Sequence, residues 1–380
     1  MRKIQMVDLH TQYLAIQSHI QEAIMACLEK GDFINGSYTK SFQAALAQYN
    51  ESKYCIPCGN GTDALQIALM SANLKQGDEI IVPAFTYVAT AEVIALLGFK
   101  PVLIEVDPHT FNLDPQYLES CLTPRTKAII PVHLFGQSSD MEPIMTFAAK
   151  HNLLVIEDNA QSIGALYTFA DGSQKRTGSI GHIGCTSFYP SKNLGAYGDG
   201  GAIFAQDETL GQRLQMIANH GQAQKYYHEC IGVNSRLDNI QAAILSIKLP
   251  YLNEYIAARQ KAAAFYDNAL AQIEGIQIPV RQQNSTHVFH QYTIKVEASK
   301  RDALKTYLQT QGIPSMIYYP LPLYAQKAFA HFWEDKNALL AQLPHTQNLC
   351  NTVLSLPMHT ALDENQQSYI CEHIAKFLLA

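Results

Sequence analysis

The sequence predicts an α/β protein with a mostly parallel mixed sheet flanked by helices, followed by a smaller α+β domain. Short apolar runs rich in β-branched residues recur about every 25 residues in the first half of the chain, and helical patterns fall between them. The alternation of predicted strands and helices changes after Pro250, where one long helix is predicted to begin. The predicted strands cover residues 54–56, 80–82, 102–106, 128–132 and 153–157.

Two of the intervening segments read clearly as helices. Residues 62–72 place Leu65, Ala68 and Leu69 on one face, and residues 87–97 end at a glycine. Helices on both faces of the sheet explain why the strand runs are continuously apolar, since strands buried on both sides need no polar alternation. The spacing is that of parallel βαβ crossovers.

The length of 380 residues favours two domains, because single hydrophobic cores stop growing at roughly 250–300 residues. We expect a large domain over 1–250 and a small domain over 251–380. In the small domain the pattern predicts helices over 253–271, 300–311 and 364–378, with a strand over 292–296.

Composition narrows the function classes. A net charge of −6 offers no basic surface for nucleic acid or an anionic membrane. No apolar run approaches the roughly 18–20 residues of a membrane span, and the N-terminus lacks the apolar core of a signal peptide. Eight scattered cysteines fit a reducing cytoplasm. Cys55 and Cys58 have CxxC spacing, which leaves zinc or redox use open beside the simpler interpretation of two unlinked thiols.

Asp158 follows the buried run 153–157, and ligands of α/β sheets bind at the carboxyl ends of parallel strands. A carboxylate in that place has two interpretations: it contacts a ligand, or it caps the next helix. The sequence itself does not choose between them.

Lys192 lies between a predicted strand and a turn with four glycines in residues 195–201. Glycines allow a positive φ and close backbone approach to a ligand. A lysine held there away from water would have a lowered pKa and could form a Schiff base. The alternative is a surface lysine in a hairpin.

A third element is the start of the first amphipathic helix, at Gly61 and Thr62, where backbone N–H groups and the helix dipole favour an anion. The three elements together specify a ligand with one phosphate, one aldehyde and one basic ring nitrogen. Lys192 would hold the aldehyde, Asp158 would keep the ring nitrogen protonated, and the Gly61–Thr62 turn with Ser187 would hold the phosphate. That ligand is pyridoxal 5'-phosphate, PLP.

The chain resembles the DegT/DnrJ/EryC1/StrS family of PLP-dependent sugar aminotransferases along nearly its whole length. The resemblance implies a fold-type I PLP transferase and an obligatory homodimer with active sites shared between subunits. It further implies that Tyr87 stacks on the cofactor ring, that Gln161 contacts its phenolic oxygen, and that Asn234 reaches the phosphate in the neighbouring subunit. The matching stretches are Gly61–Thr62 and residues 85–90, 131–136, 157–161, 186–195 and 234–238.

Within that family the chain is similar to aminotransferases acting on the third carbon of UDP-2-acetamido-2-deoxy-3-oxo-glucuronate. Arg236 could pair with the sugar carboxylate, and the resemblance places Tyr319 in the substrate loop. The sequence departs at Tyr318, where the subgroup has a histidine, and tyrosine brings no positive charge at neutral pH. Neutral UDP-3-oxo-N-acetylglucosamine or a dTDP-3-oxo-6-deoxyhexose therefore remains an alternative substrate. His220 is a further candidate contact.

The resemblance implies glutamate as the amino donor, 2-oxoglutarate as the product that the donor leaves, pyridoxamine phosphate as the intermediate form of the cofactor, and a role in surface polysaccharide or lipopolysaccharide synthesis. Two rivals remain: a PLP-dependent sugar dehydratase, which would carry histidine instead of Lys192, and a non-catalytic regulator. His133 is either a general base or, more simply, a packing residue. The histidines show no metal-ligand spacing, so the sequence predicts no catalytic metal.

Overall fold

A seven-stranded sheet forms the centre of the protein, in a computed structural model that describes residues 2–333 and 335–379. Three helices precede the first strand: α1 (Leu9–Ala15), α2 (Gln17–Lys30) and α3 (Ser37–Tyr49). The sheet and its connecting elements are β1 (Tyr54–Cys58), α4 (Gly61–Met70), β2 (Glu79–Pro83), α5 (Ala89–Leu96), β3 (Lys100–Ile104), β4 (Thr126–Ile129), α6 (Met141–His151), β5 (Leu154–Asp158), a hairpin of β6 (Leu166–Thr168) and β7 (Gln174–Arg176), β8 (Ile183–Ser187), β9 (Gly201–Ala205) and α7 (Glu208–Ala218).

The strand order is β1-β9-β8-β5-β4-β2-β3, and β9 alone runs antiparallel to its neighbours β1 and β8. The predicted mostly parallel mixed sheet is therefore confirmed. Strand β1 has the same direction as the parallel strands, but it lies at the edge beside β9 and away from β2, an order that the spacing of the strands does not predict. Strand β9 returns from the loop that carries Lys192, and its insertion beside β8 separates β1 from the parallel strands.

Helices cover both faces of the sheet. On one face α4, α5 and α7 pack on Ile80, Ile156 and Ile203, and on the other α6 packs on Ile129 and Val155. This explains the continuously apolar strands. Helix α4 ends two residues earlier than predicted, and α5 begins two residues later.

The remaining elements are a hairpin of β10 (Gln222–Gln224) and β11 (Tyr227–His228), then α8 (Asn239–Lys248), α9 (Leu252–Leu270), β12 (Ile276–Gln277), β13 (Tyr292–Val296), α10 (Ala298–Thr310), α11 (Lys336–Gln342), α12 (Pro344–Thr352), β14 (Val353–Leu356) and α13 (Glu364–Leu378). Strands β12, β13 and β14 form a separate antiparallel sheet. Its core is built from residues beyond 261 together with Ile4, so the N-terminal segment packs on the C-terminal region. The division at residue 250 stays a prediction. Within the described residues, no helix has both the length and the apolar character to cross a membrane.

Glu157 fixes the carboxyl end of β5 through four hydrogen bonds, although its side chain is fully buried. Its carboxylate accepts backbone N–H groups from Gly178 at 2.7 Å, Ile180 at 2.7 Å and Gly181 at 2.6 Å. The ring Nε2 of His133 lies 2.8 Å from the same carboxylate. Because a buried carboxylate is tolerated only when its hydrogen-bonding capacity is filled, this cluster ties β5 to the turn that precedes β8.

We predict that Glu157→Gln lowers the free energy of unfolding by about 3 kcal/mol, since the new amide would turn a donor toward groups that are themselves donors. Urea unfolding of the ligand-free protein measures this change. The matched control is Glu119→Gln, at a carboxylate that is 66% exposed, where a change within about 0.5 kcal/mol is expected. Equal stability of the two variants would contradict the role of Glu157.

Candidate active site

Lys192 lies in the loop between β8 and β9, and the structure places its side chain in a half-buried position. Its backbone N–H donates to the carbonyl of Tyr189 at 2.8 Å, which closes a tight turn. Burial lowers the pKa of the amine to about 8, and the nearby Asp158 carboxylate opposes that shift. The alternative of an ordinary surface lysine does not describe this environment.

Asp158 ends β5, the strand that pairs with β8, and its carboxylate is buried. The hydroxyl of Thr90 donates to it at 2.8 Å and the N–H of Ala160 donates at 3.2 Å. A turn follows Asp158 and no helix begins there, so the helix-cap interpretation is wrong. The carboxylate is held in one orientation at the sheet edge where Lys192 is found.

Thr90 was missed by sequence reasoning as a residue of the site. It is fully buried on the first turn of α5, where an apolar residue would be the ordinary choice. The sequence contained one weak signal for it. Thr90 stands in an apolar stretch, five residues before Ala95, where a hydroxyl at a position facing the sheet is unusual. The structure shows that this hydroxyl serves the Asp158 carboxylate.

An aromatic wall stands beside Asp158. The amide Nε2 of Gln161 donates to the hydroxyl of Tyr319 at 3.2 Å, while its Oε1 accepts the N–H of Phe135 at 2.7 Å. Burial raises the pKa of Tyr319, and the Asp158 charge adds to that rise. The ring of Tyr87 lies 6.2 Å from that of Tyr319 and is 56% exposed. One face of the Tyr87 ring is therefore free, beside the amide of Gln161 and the hydroxyl of Tyr319.

Tyr318 also faces this region. Burial raises the pKa of its phenol, which hydrogen-bonds to Gln291 and lies close to Tyr189 in the Lys192 loop. His290 is another neighbour that sequence reasoning missed. Burial and the positive charges of Lys192 and Arg259 hold the pKa of His290 well below its usual range, so this imidazole is neutral.

The turn at Gly61 begins α4 and lies against Ser187 at the end of β8. A Cβ at Gly61 would stand 2.7 Å from the Cβ of Ser187, so only glycine fits there. Asn60 caps the helix by accepting the N–H of Asp63 at 2.8 Å, which leaves the amides of Gly61 and Thr62 free of intrahelical bonds. The hydroxyl of Ser187 accepts the N–H of Tyr189 at 3.2 Å and keeps its own proton to donate.

Three predicted site residues make no hydrogen bond to Lys192 or Asp158 in the described part of the chain. Asn234 and His220 are exposed, and Arg236 lines a surface groove of about 1030 Å³ with Lys40 and Arg213. Across the described part of the chain, no hydrogen bond or ion pair joins Arg236 to Lys192 or Asp158. Ser235, which the sequence did not suggest, links this segment to the Gly61 turn: its hydroxyl accepts the N–H of Gly59 at 2.8 Å and donates to Asp63 at 2.6 Å.

His133 is buried and its ring is fully bonded. Its Nδ1 accepts the N–H of Ser139 at 3.0 Å, so the ring proton sits on Nε2 and is donated to Glu157. The packing interpretation of His133 describes this geometry. The CxxC pair is likewise structural: Cys55 and Cys58 are buried free thiols that belong to two different hydrophobic clusters.

This arrangement can act on a carbonyl. A lysine amine with a lowered pKa is a nucleophile near neutral pH, and a fixed carboxylate beside it can hold a protonated ring nitrogen. The close approach of Gly61 to Ser187 leaves a cradle of amides and one hydroxyl for a phosphate.

A family model described as the DegT/DnrJ/EryC1/StrS aminotransferase family matches residues 14–375. The chain belongs to this family. The matched residues include Lys192, Asp158 and the Gly61 turn, and the fold class of this aminotransferase is the predicted one.

Curated relatives match the aminotransferase almost end to end. A pleiotropic regulatory protein from Geobacillus stearothermophilus is 46% identical over 98% of each chain. A UDP-2-acetamido-2-deoxy-3-oxo-D-glucuronate aminotransferase from Pseudomonas aeruginosa is 46% identical over 97% of this chain and 98% of the other. A UDP-N-acetyl-3-dehydro-alpha-D-glucosamine 3-aminotransferase from Acidithiobacillus ferrooxidans is 42% identical over 99% and 98%.

Solved structures share the fold throughout. DesV from Streptomyces venezuelae, in complex with a ketimine intermediate, superposes with a TM-score of 0.94 at 35% identity and full coverage of both chains. NtdA from Bacillus subtilis, with bound cofactor PMP, superposes with a TM-score of 0.87 at 33% identity, covering 96% of this chain and 82% of the other.

We predict that Lys192 in the ligand-free aminotransferase becomes reactive as the pH rises through about 8, because burial disfavours its charged form. Competitive acetylation followed by peptide mass spectrometry measures the midpoint, with the exposed Lys53 as reference. In Asp158→Asn the midpoint moves lower, since the lost carboxylate favoured the ammonium. Asp171→Asn, at an exposed carboxylate, leaves it unchanged. A rise of the midpoint in Asp158→Asn would contradict the assignment.

Proposed function

We propose that this protein is a PLP-dependent aminotransferase that moves the amino group of glutamate to the 3-keto carbon of UDP-2-acetamido-2-deoxy-3-oxo-glucuronate. One observation carries the proposal: at the carboxyl edge of the sheet, the structure brings together a loop lysine with a lowered pKa and a buried carboxylate that accepts two hydrogen bonds. The family supplies the reaction class.

The residues present fit PLP. The amides of Gly61 and Thr62 and the hydroxyl of Ser187 would bind its phosphate, since the missing Cβ at Gly61 lets these groups lie side by side. Asp158 would accept the N–H of the pyridine ring. Gln161 would donate its second amide hydrogen to the phenolic oxygen, and Tyr87 would stack its exposed ring on the cofactor.

Bound PLP supplies the electron sink that takes the electron pair left when a substrate carbon loses its proton. A side chain of the protein would accept and return that proton. With its pKa lowered to about 8, the Nζ of Lys192 is in part unprotonated at neutral pH and would be the group that takes up the proton from the substrate carbon and gives it back during the reaction. Thr90 and Ala160 donate to the Asp158 carboxylate and would hold it in place to accept the N–H of the ring. Lys192 would have the same role, in the reverse direction, when the keto-sugar is the substrate.

The choice of the glucuronate as the substrate rests on sequence similarity to a relative named for it. The Pseudomonas relative named for that substrate is 46% identical along the chain, and Arg236 offers a guanidinium suited to bidentate contact with a carboxylate. Tyr318, Tyr319 and His220 would complete the contacts to the sugar nucleotide. This assignment places the enzyme in surface polysaccharide synthesis in the cytoplasm, where its eight free thiols would stay reduced.

A neutral sugar is the second candidate, and Tyr318 favours it. The side chain at this position lies close to the Lys192 loop and carries no positive charge, so it adds no attraction for a sugar carboxylate. The Acidithiobacillus relative, named for a neutral UDP-sugar, is 42% identical to this chain.

The two other rival functions are disfavoured by the same residues. A dehydratase of this fold would have histidine at position 192, and a non-catalytic regulator would need none of the assembled groups. Lys192, Asp158 and Gln161 are all present and lie around one another. The Geobacillus relative is named a regulatory protein, but that name describes the relative and assigns no regulatory role to this chain.

We further propose a homodimer in which Asn234 completes the phosphate site of the partner subunit. The Asn234 side chain is exposed and, within residues 2–333 and 335–379, makes no hydrogen bond. A polar residue bonded to the Gly61 turn only through its neighbour Ser235 is free to point outward.

We predict that the protein, incubated with PLP, 2-oxoglutarate and UDP-2-acetamido-3-amino-2,3-dideoxy-glucuronic acid, produces glutamate, measured by an enzyme-coupled assay. Running the reaction backwards avoids the unstable keto-sugar. Arg236→Met is expected to raise the KM for this sugar about 10- to 100-fold through loss of a charge-assisted pair. Lys192→Ala should abolish turnover.

Parallel reactions with the 6-hydroxyl analogue and a dTDP-3-amino-6-deoxyhexose separate the candidates. Glutamate from the neutral sugars alone would reject the glucuronate and retain the aminotransferase. Undiminished turnover by Lys192→Ala would reject the mechanism itself.

A mixing experiment tests the shared site. Lys192→Ala and Asn234→Ala are each expected to lose at least about 100-fold in activity. Refolded together, half of the random dimers carry one intact site, so activity should return to about a quarter of the parent value. No recovery on mixing, with dimers confirmed by light scattering, would place Asn234 in its own subunit's site or outside both.

A further inference from the structure

Lys248 is a buried cation at the end of α8. Its residue is 1% exposed, its ammonium donates to the carbonyl of Gly195 at 2.5 Å, and it lies 5.1 Å from the centre of the Tyr197 ring. Among the residues that the structure describes, no carboxylate lies within ion-pair distance of this ammonium. Lysine is almost never fully buried unless it is paired with an opposite charge.

This burial costs stability. Removal from water and, to a smaller extent, the positive charge of Arg259 together lower the pKa of Lys248 to about 8. Replacing a buried charge by an apolar side chain of similar volume is often neutral or stabilising. The fold therefore gains little stability from an ammonium at this position. The role of Lys248 is instead indicated by the group to which its ammonium donates.

The group that Lys248 holds belongs to the Lys192 loop. Gly195 is three residues beyond Lys192, and a Cβ on it would stand 2.2 Å from the carbonyl oxygen of Pro190. The turn thus closes on itself between Pro190 and Gly195, with Lys192 at its centre. Fixing the carbonyl of Gly195 fixes the open end of that turn.

Helix α8 reaches the same loop at a second point. Gln241, seven residues earlier and hence on the same helix face, accepts the N–H of Tyr197 at 2.9 Å and donates to its carbonyl at 3.4 Å. A second part of the chain also holds the loop, since the amide of Asn193 donates to the carbonyl of Val288 at 2.9 Å. Of the two anchors from α8, the one nearer to Lys192 in the chain is the charged Lys248.

We propose that Lys248 is a positioning residue for Lys192: its ammonium, through the carbonyl of Gly195, holds the turn so that the Lys192 amine faces Asp158. The inference rests on the proposed function, since it takes Lys192 as the residue that binds PLP. Lys248 itself touches neither cofactor nor substrate in this role.

The test is the rate at which ligand-free protein captures PLP. Samples are reduced with borohydride at increasing times, and mass spectrometry gives the fraction of the Lys192 peptide that carries the cofactor. Lys248→Met is expected to slow capture about 10-fold or more, while its melting temperature stays equal to or above that of the parent. Lys248→Arg, which keeps a cationic donor, should recover most of the rate. Lys300→Met, at an exposed lysine, is the matched control and should equal the parent.

The outcomes separate the two proposals. Failure of the parent itself to take up PLP at Lys192 would reject the proposed function. Capture by the parent and by a folded Lys248→Met at the same rate would overturn the positioning role alone. Loss of folding in Lys248→Met would also overturn it, because the ammonium would then be a determinant of the fold, and the melting curve of Lys248→Arg would confirm that reading.

Discussion

The placement of one carboxylate and one amine at the carboxyl edge of the sheet is the constraint on which the site depends. Asp158 and Lys192 attract each other, yet burial lowers the pKa of Lys192 in spite of that attraction. Desolvation is therefore the larger effect here, and the amine stays partly neutral beside a negative charge. A wetter site would leave a fully protonated lysine, which cannot act as a nucleophile. The packing around the strand ends thus decides the chemistry.

That packing is achieved by saturating buried polar groups. Glu157, next to Asp158 and pointing to the other side of the strand, accepts four donors that tie β5 to His133 and to the turn before β8. Thr90 and Ala160 then orient Asp158 itself. The two neighbouring carboxylates have different roles. The fold occupies every acceptor site of Glu157, whereas Asp158 can still accept a hydrogen bond from a ligand.

The sequence predicted the parallel strands, the C-terminal helices and the residues whose chemistry is carried by local context, such as Lys192 beside its glycines and Asp158 after its strand. It did not predict that β1 lies beside β9, because that pairing joins residues about 145 apart in the chain, which local patterns do not encode. Thr90, Ser235 and Lys248 were missed for a related reason. Each looks like an ordinary helix or loop residue, and its role comes from a distant partner.

Helix α8 shows how the fold couples the two ends of the site. Its first residues follow the Asn234–Asp238 segment, which is bonded through Ser235 to the Gly61 turn, and its last residue reaches the Lys192 loop. A rigid helix of ten residues therefore connects the cradle proposed for the phosphate with the amine proposed for the aldehyde. Because the distance between those two ends of PLP is fixed by covalent bonds, a rigid connection between their binding groups lets the protein present both at once. This is preorganisation, in which the cost of ordering the site is met by folding before the cofactor arrives.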